Sequence, residues 1–313
     1  VVATGGTVPY AFTWSPNVSS TFSANGLAAG NYYLTITDNN GCTVDTVFVV
    51  TQPTQLTTSE THVNVLCNGN STGSVTITAS GGTPGYTYNW NPNLSAIDNA
   101  TNIPAGIYSV TVTDVNACTA VQTAIVTEPP LLTLSATTVD VLCNGTATGI
   151  INSTANGGVP NYSFSASDGT NSYNSANGQF SNLFSGTYVV LVTDQNACSA
   201  TTTATVNEPA ALADVVNVTP ATCYHYADGQ IAVAAVGGVA AYNFSLSNGD
   251  VSSTGNFTGL SAEIYTFTIT DANGCTFTDN GIVTEPDSVL IDVTPTPVEV
   301  NLGNTLQLNT TTN

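Results

Sequence analysis

Four copies of one twelve-residue block decide what this chain can fold into: Asn31–Cys42, Ile107–Cys118, Thr187–Cys198 and Ile264–Cys275. In every copy a Tyr stands six residues before an Asp and a Cys four residues after it. Tyr32, Asp38 and Cys42 are thus matched by Tyr108, Asp114 and Cys118, by Tyr188, Asp194 and Cys198, and by Tyr265, Asp271 and Cys275. The Asp falls at 38, 114, 194 and 271 and a linker Pro at 53, 129, 209 and 286, so both landmarks step by 76, 80 and 77 residues. A period of that size is the mark of small domains in tandem. It divides the chain into a partial repeat at 1–53, complete repeats at 54–129, 130–209 and 210–286, and the start of a further, divergent immunoglobulin-like domain at 287–313. Because the sequence begins in mid-repeat, it is expected to be a stretch of a longer protein.

Within a repeat the pattern is that of short strands. Tyr10, Phe12 and Trp14 alternate with Ala11 and Thr13, which sets three aromatics on one strand face. The same strand returns as Tyr86/Tyr88/Trp90, Tyr162/Phe164/Ala166 and Tyr242/Phe244/Leu246, each time after a Gly-Gly pair. A packing position can be refilled by its neighbours, so the change from Trp to Ala and Leu reads as core. In residues 54–129, Ser59–Cys67 reads as strand A, Ser74–Ser80 as B, Tyr86–Trp90 as C, a weaker Ala96–Ile103 as D and E, Gly106–Asp114 as F and Thr119–Val126 as G. Such a series of short strands with turn residues in the gaps predicts an immunoglobulin-like sandwich. Helical periodicity is missing throughout, and Thr, Val, Tyr and Ile fill the predicted strands. The fold class expected is all-β: tandem immunoglobulin-like β-sandwich domains in an extended array. In the last segment Val298–Leu308 reads as two strands about a turn at Gly303, with no Cys.

Composition narrows the partners. The chain has no Lys or Arg against 20 acidic residues, a net charge of −20, whereas a typical domain is about 25% charged with both signs. Repulsion from phosphate disfavours nucleic acid and anionic membranes as partners, and no run of 18 apolar residues is present to insert in a bilayer. A chain without Lys or Arg also offers no site to a trypsin-like protease. Seven Cys at repeating positions, with no CxxC pair, point to structural disulfides in an oxidising, extracellular compartment.

The repeated block suggests structural duties for its own residues. Tyr32, Tyr108, Tyr188 and Tyr265 lie at the start of strand F, where immunoglobulin-like domains place a tyrosine corner. The Asp at the end of that strand suits a tight turn, because its side chain can bond the backbone two residues on. A sharper possibility pairs Glu128 with Asp194, and Glu208 with Asp271, across a domain junction. That would gather carboxylates for calcium, although Ca2+ takes six to eight oxygens and two carboxylates fall short. No other cofactor is implied. His62 and His225 do not repeat and have no nucleophile motif beside them, so no catalysis is expected.

Three arithmetics fit the cysteines Cys42, Cys67, Cys118, Cys143, Cys198, Cys223 and Cys275. Pairing within repeats (67–118, 143–198, 223–275) leaves only Cys42 over. It would, however, join the A–B corner to the F–G turn at opposite ends of a sandwich, roughly 25 Å apart at about 3.3 Å per residue, when a disulfide needs Cα atoms within about 7 Å. Pairing 42–67, 118–143 and 198–223 spans further still. The corner of one repeat meets the turn of the next if the pairs are Cys67–Cys198 and Cys143–Cys275, which leaves Cys42, Cys118 and Cys223 for partners beyond the sequence or on another chain. The geometry leans to this third arrangement.

Cys67-Asn-Gly-Asn-Ser-Thr-Gly73, Gly81-Gly-Thr-Pro-Gly-Tyr86, Ala105-Gly-Ile-Tyr108 and Val112-Thr-Asp-Val-Asn-Ala-Cys118 together resemble the SprB repeat of cell-surface gliding-motility adhesins in Bacteroidota, over roughly residues 1–286. Ala240-Ala241, Glu263 and the final segment depart from that pattern. The resemblance implies type IX secretion, display on the cell surface, and adhesion to surfaces or polysaccharide. Asp45-Thr46-Val47 and Asp287-Ser288-Val289 resemble the O-glycosylation triplet of the same bacteria, with Thr46 and Ser288 as acceptors. The expected function is the structural shaft of a secreted adhesin or extracellular filament, with other copies of itself and surface polysaccharide as partners. A lectin-like glycan-binding module, using loops such as 168–178, and an accessory region of a larger secreted enzyme are the alternatives.

Overall fold

The computed structural model describes residues 1–290, all of whose regular structure is β-strand; the strands expected at Val298–Leu308 lie outside the described residues. Two compact units are present. One comprises Val1–Leu132 with Gly157–Pro160 and Gln195–Cys198, the other Thr133–Asn156, Asn161–Asp194 and the residues from Ser199 on.

In the first unit, β1 (Ala11–Ser15), β2 (Gly30–Thr37) and β3 (Thr43–Val50) form one antiparallel sheet in that order. The next repeat contains β4 (Thr57–Val63), β5 (Gly73–Ser80), β6 (Thr87–Asn91), β7 (Asn99–Ile103), β8 (Gly106–Thr113) and β9 (Thr119–Val126). These make two sheets, β4-β5-β7 and β6-β8-β9. In the second unit, one repeat contains β10 (Thr133–Val139), β11 (Gly149–Asn156), β12 (Ser163–Ser167), β13 (Ser172–Ser175), β14 (Gln179–Leu183), β15 (Gly186–Thr193) and β16 (Ser199–Val206). The last contains β17 (Ala213–Thr219), β18 (Gly229–Val236), β19 (Asn243–Leu246), β20 (Val251–Ser252), β21 (Asn256–Leu260), β22 (Ile264–Thr270) and β23 (Thr276–Ile282). Their sheets are β10-β11-β14 with β13-β12-β15-β16, and β17-β18-β21 with β20-β19-β22-β23.

Alternation along each strand supplies the core. Tyr108, Val110 and Val112 of β8 point inward with Ala124 and Val126 of β9, and meet Val75 and Ile77 of β5 and Ile103 of β7. Phe244, Phe267, Ile269, Ile231 and Leu260 do the same in the last repeat. The outward residues of β8 and β9 mix Ser109, Thr111 and Thr123 with the exposed Ile107, Val121 and Ile125, so one face is core and the other is a mixed, solvent-facing surface.

The strand count differs from the sequence expectation in two places. Strand A ends at Val63 rather than Cys67: the chain leaves the sheet, and Val65 N–H bonds Thr127 O at 2.9 Å beyond β9. No separate strand D forms between β6 and β7. The third and fourth repeats instead add β13 and β20 beside strand C, where the turns Ser167-Asp-Gly and Ser247-Asn-Gly close a hairpin. Asp168 Oδ1 accepts the N–H groups of Thr170 and Asn171 to hold the first of these. In the second repeat Pro92 stands at that point, and a residue without an N–H does not continue a ladder.

Core volume follows the same division. The second repeat puts Trp90 on β6 and Ala100 on β7; the third puts Ala166 and Phe180 at the matching places, and the fourth Leu246 and Phe257. A large ring thus comes from one sheet or the other. Trp90 also donates its Nε1–H to Ile97 O at 2.9 Å, anchoring the connection to β7, as Trp14 does to Thr21 O.

Each Gly-Gly pair is a close approach of backbones. At Gly81, Gly157 and Gly237 φ is +77°, +77° and +75°, and a Cβ would stand 2.1, 2.0 and 2.0 Å from the carbonyl oxygens of Gln55, Leu131 and Ala211. Left-handed backbone costs a residue with a Cβ about 1–2 kcal/mol before any clash. Gly237→Ala is therefore expected to destabilise the last repeat by more than about 2 kcal/mol. Thermal unfolding followed by circular dichroism checks this, and an unchanged transition would contradict it.

Candidate functional site: corner, turn and disulfide

The repeated Tyr seals the start of strand F. Tyr108 Oη donates to Pro104 O at 2.7 Å, Tyr188 to Phe184 O at 2.9 Å, Tyr32 to Ala28 O at 2.8 Å and Tyr265 to Ser261 O at 3.2 Å, in each case the carbonyl four residues upstream. A second Tyr, not singled out by the repeated block, ties down the Gly-Gly turn: Tyr86 donates to Gly81 O, Tyr242 to Gly237 O and Tyr10 to Gly5 O.

The repeated Asp organises the F–G turn and the loop beside it. Asp114 Oδ1 accepts the N–H groups of Asn116 and Cys118 at 2.9 and 2.8 Å, while Oδ2 accepts that of Thr83 at 2.9 Å. Asp271 repeats the arrangement with Asn273, Cys275 and Val239, each at 2.9 Å, and Asp38 with Asn40, Cys42 and Thr7. Asp114, Asp194 and Asp271 are buried, at 4–5% exposure. The Thr83 N–H does most to hold Asp114 below the usual carboxylate range; burial opposes it, and the Cys118 and Asn116 donations add to it. At Asp271 burial is the largest influence and pushes upward, but donations from Val239, Cys275 and Asn273 outweigh it and leave the carboxyl lowered.

A depressed folded pKa stabilises the fold above the unfolded value of about 3.9 and stops doing so as pH falls through the folded value. The melting temperature is therefore expected to hold from pH 7 to about 5 and to decline below about 4. Asp114→Asn should lower it at pH 7 and weaken that decline; a variant indistinguishable from the parent at both pH values would contradict the assignment.

The A–B corner is built as carefully as the turn. Glu128 Oε2 accepts Gly69 N–H at 2.6 Å, Glu208 accepts Gly145 N–H at 2.8 Å and Glu285 accepts His225 N–H at 2.6 Å. Thr72, Thr148 and Asp228 side chains accept the N–H groups of Leu66, Leu142 and Thr222. Glu128, Glu208 and Asp271, weighed above as calcium carboxylates, are thus each engaged with backbone of their own repeat. Among the described residues no group of three or more His, Cys, Asp or Glu is placed to hold a metal ion. The corner role of these Glu residues went unread because each stands about sixty residues from the N–H it accepts. Its one trace was an acid before the linker Pro in three repeats.

Corner and turn meet through sulfur. Cys67 bonds Cys198 with Cα atoms 5.6 Å apart, and Cys143 bonds Cys275 with Cα atoms 5.7 Å apart. Beside each bond an Asn reaches the corner carbonyl: Asn196 Nδ2 donates to Leu66 O at 2.8 Å and Asn273 Nδ2 to Leu142 O at 2.9 Å. Cys42, Cys118 and Cys223 are free and exposed. His62 sits 3.2 Å from Glu60, and the His225 ring lies against Tyr224 with centroids 3.9 Å apart. Thr46 is exposed on β3, and Ser288 is half-buried beyond the last strand.

A family model described as the SprB repeat matches residues 59–95, 135–171 and 215–251. The chain carries three SprB repeats. Each match opens in strand A and holds one corner cysteine, Cys67, Cys143 or Cys223, together with the Gly-Gly turn and strand C. The F–G turn and its cysteine follow beyond each match.

No curated protein matches the chain. Among solved structures, a Ca2+-stabilized adhesin that helps an Antarctic bacterium bind ice is 18% identical, with 90% of this chain and 92% of that one covered, at a TM-score of 0.39. Sidekick-1 immunoglobulin domains 1–5 are 14% identical with 82% and 66% covered, at 0.35. Domains 1–6 of the surface layer protein SbsC are 14% identical with 90% and 50% covered, at 0.27. The chain therefore spans 66% of the Sidekick-1 chain and 50% of the SbsC chain.

Proposed function

We propose that this chain is part of the shaft of an extracellular, cell-surface adhesin or filament, in which SprB repeats serve as spacers. The observation that carries this reading is the pair of disulfides, each joining the corner of one repeat to the turn of the next. Bonds of this kind persist in oxidising surroundings, and they tie neighbouring repeats together where a plain linker would leave them to move freely. The absence of Lys and Arg removes every trypsin-type cleavage point from an exposed chain. Export by type IX secretion, a part in gliding, contact with surface polysaccharide and glycans on Thr46 and Ser288 belong to this reading. The spacer role is non-catalytic.

Alkylating intact source cells without reductant, then mapping cysteines by mass spectrometry, tests it together with surface immunogold labelling. The expected result is label on surface filaments, with Cys67, Cys143, Cys198 and Cys275 protected. Alkylation of those four, or label confined to the cell interior, would sink the proposal.

A further inference from the structure

Two cavities stand at matched positions in the third and fourth repeats. One, of about 530 Å³, lies where β12, β13 and β15 run side by side, with Tyr162, Ser163, Ser165, Asn174 and Thr193 in its lining. The other, of about 460 Å³, lies among β19, β20 and β22, with Asn243, Ser245, Val251 and Thr270 in its lining. The strand registers make them equivalent. Ser163 pairs with Thr193 and Ser165 with Asn174 in one, as Asn243 pairs with Thr270 and Ser245 with Val251 in the other. Each cavity takes one wall from the hairpin strand, β13 or β20, that the second repeat lacks. That strand is short, and its exit is fixed: Ser175 Oγ donates to Asn177 Oδ1 at 2.8 Å, and Ser252 Oγ lies 3.2 Å from Thr254 Oγ1. The chain then leaves the sheet for β14 or β21.

Elsewhere on these sheets, outward polar side chains bond one another. Thr187 and Thr205 hydroxyls lie 3.3 Å apart, those of Thr268 and Thr278 3.5 Å, and Thr266 Oγ1 donates to Asn280 Oδ1 at 2.8 Å. Among the described residues, the side chains of Ser163, Ser165, Asn174 and Thr193 have no such partner. Their polar atoms face the cavity's solvent. No Asp, Glu or His lines either cavity, and the chain has no Lys or Arg.

We infer that the cavity of the third repeat binds a sugar residue of a neutral glycan, and that the fourth repeat holds a weaker copy of the same site. Hydroxyl and carboxamide groups both donate and accept hydrogen bonds, which suits the neighbouring hydroxyls of a sugar ring. Tyr162, edge-on to Phe164 with centroids 6.3 Å apart, adds an apolar ring for the sugar's C–H face. No cation is present to hold a carboxylate, sulfate or phosphate, and a net charge of −20 repels acidic glycans. The volume falls within the range of about 300–1,000 Å³ usual for small-ligand sites. In the fourth repeat Val251 replaces Asn174, which removes the carboxamide from the wall. The site rests on the surface reading proposed above, and gives its polysaccharide contact a ligand class and residues.

Isothermal titration calorimetry tests it on the whole, disulfide-intact chain. The probes are millimolar cellotetraose, laminaritetraose, maltotetraose and xylotetraose, with tetragalacturonate as the acidic control. At least one neutral probe is expected to bind, and tetragalacturonate is not. The double variant Ser165→Ala/Asn174→Ala, which removes two hydrogen-bonding groups at half-buried and exposed positions, should keep the parent's melting temperature and lose roughly tenfold in affinity. Thr201→Ala, on β16 outside the cavity, should bind as the parent does, and Val251→Asn should raise the amount of ligand bound. No binding of any neutral probe, preference for tetragalacturonate, or unchanged affinity in the double variant would overturn the inference. None of those outcomes bears on the cysteine mapping or the filament labelling, so a shaft without a glycan site would be recognised as such.

Discussion

Trp90→Ala is expected to cost the second repeat about 3–5 kcal/mol, and adding Ala100→Phe is expected to restore a large part of that loss. Trp90 is buried at 3% exposure among Val75, Ile103, Tyr108 and Val110, so its removal leaves a cavity that neighbouring strands cannot close. The third repeat shows the alternative filling: Ala166 on strand C with Phe180 on strand E, and Tyr173 edge-on to Tyr188 at 6.1 Å. Ala100→Phe alone should instead overpack the core and cost about 1–3 kcal/mol. Two destabilising changes whose combined cost falls below the sum of their separate costs are the signature of a shared site. Chemical denaturation of the four proteins decides it; simple additivity would show that the two positions do not fill one space.

Replacing both partners of one bond, Cys143→Ser with Cys275→Ser, is expected to destabilise the second unit by about 2–4 kcal/mol. The bond closes a loop of 132 residues, and in the chain-entropy account a long loop gains most from closure. Using both substitutions avoids a stray thiol that could pair elsewhere. The chain's two Trp, Trp14 and Trp90, lie in the first unit, which gives the experiment an internal control. Circular dichroism should show an earlier transition while tryptophan fluorescence keeps its midpoint. Equal shifts in both signals, or none in either, would contradict the assignment.

The parts of the fold legible in the sequence were those written locally. Alternating side chains placed β6, β8 and β9 to within a residue, because buried and exposed positions alternate along each strand. The tyrosine hydroxyl and the carbonyl it finds are four residues apart, so that bond too is local. What stayed hidden was long-range. The sequence carries strand A through Cys67, whereas Val65 N–H has left the sheet and bonds Thr127 O just past the end of β9. The missing strand D and the added β13 and β20 turn on a choice between Pro92 and an Asp-Gly or Asn-Gly turn. The brace that Glu128, Glu208 and Glu285 give the corners spans about sixty residues, and no local pattern announces it. The Asn at 40, 116, 196 and 273 was visible in all four turns, but the corner carbonyls that Asn196 and Asn273 reach appear only in three dimensions.

The two disulfides overlap in sequence, since Cys143 lies inside the loop from Cys67 to Cys198, and Cys198 inside the loop from Cys143 to Cys275. Under tension the shortest covalent route from residue 1 to residue 290 therefore runs to Cys67, across to Cys198, backwards to Cys143, and across to Cys275. Residues 68–142 and 199–274 carry no pull, even if every strand has come apart. Together they would store about 500 Å of contour at roughly 3.3–3.6 Å per residue. A pulled oxidised chain should stop lengthening at about half the extension of a reduced one, which makes the thiol state of four cysteines the setting of its reach.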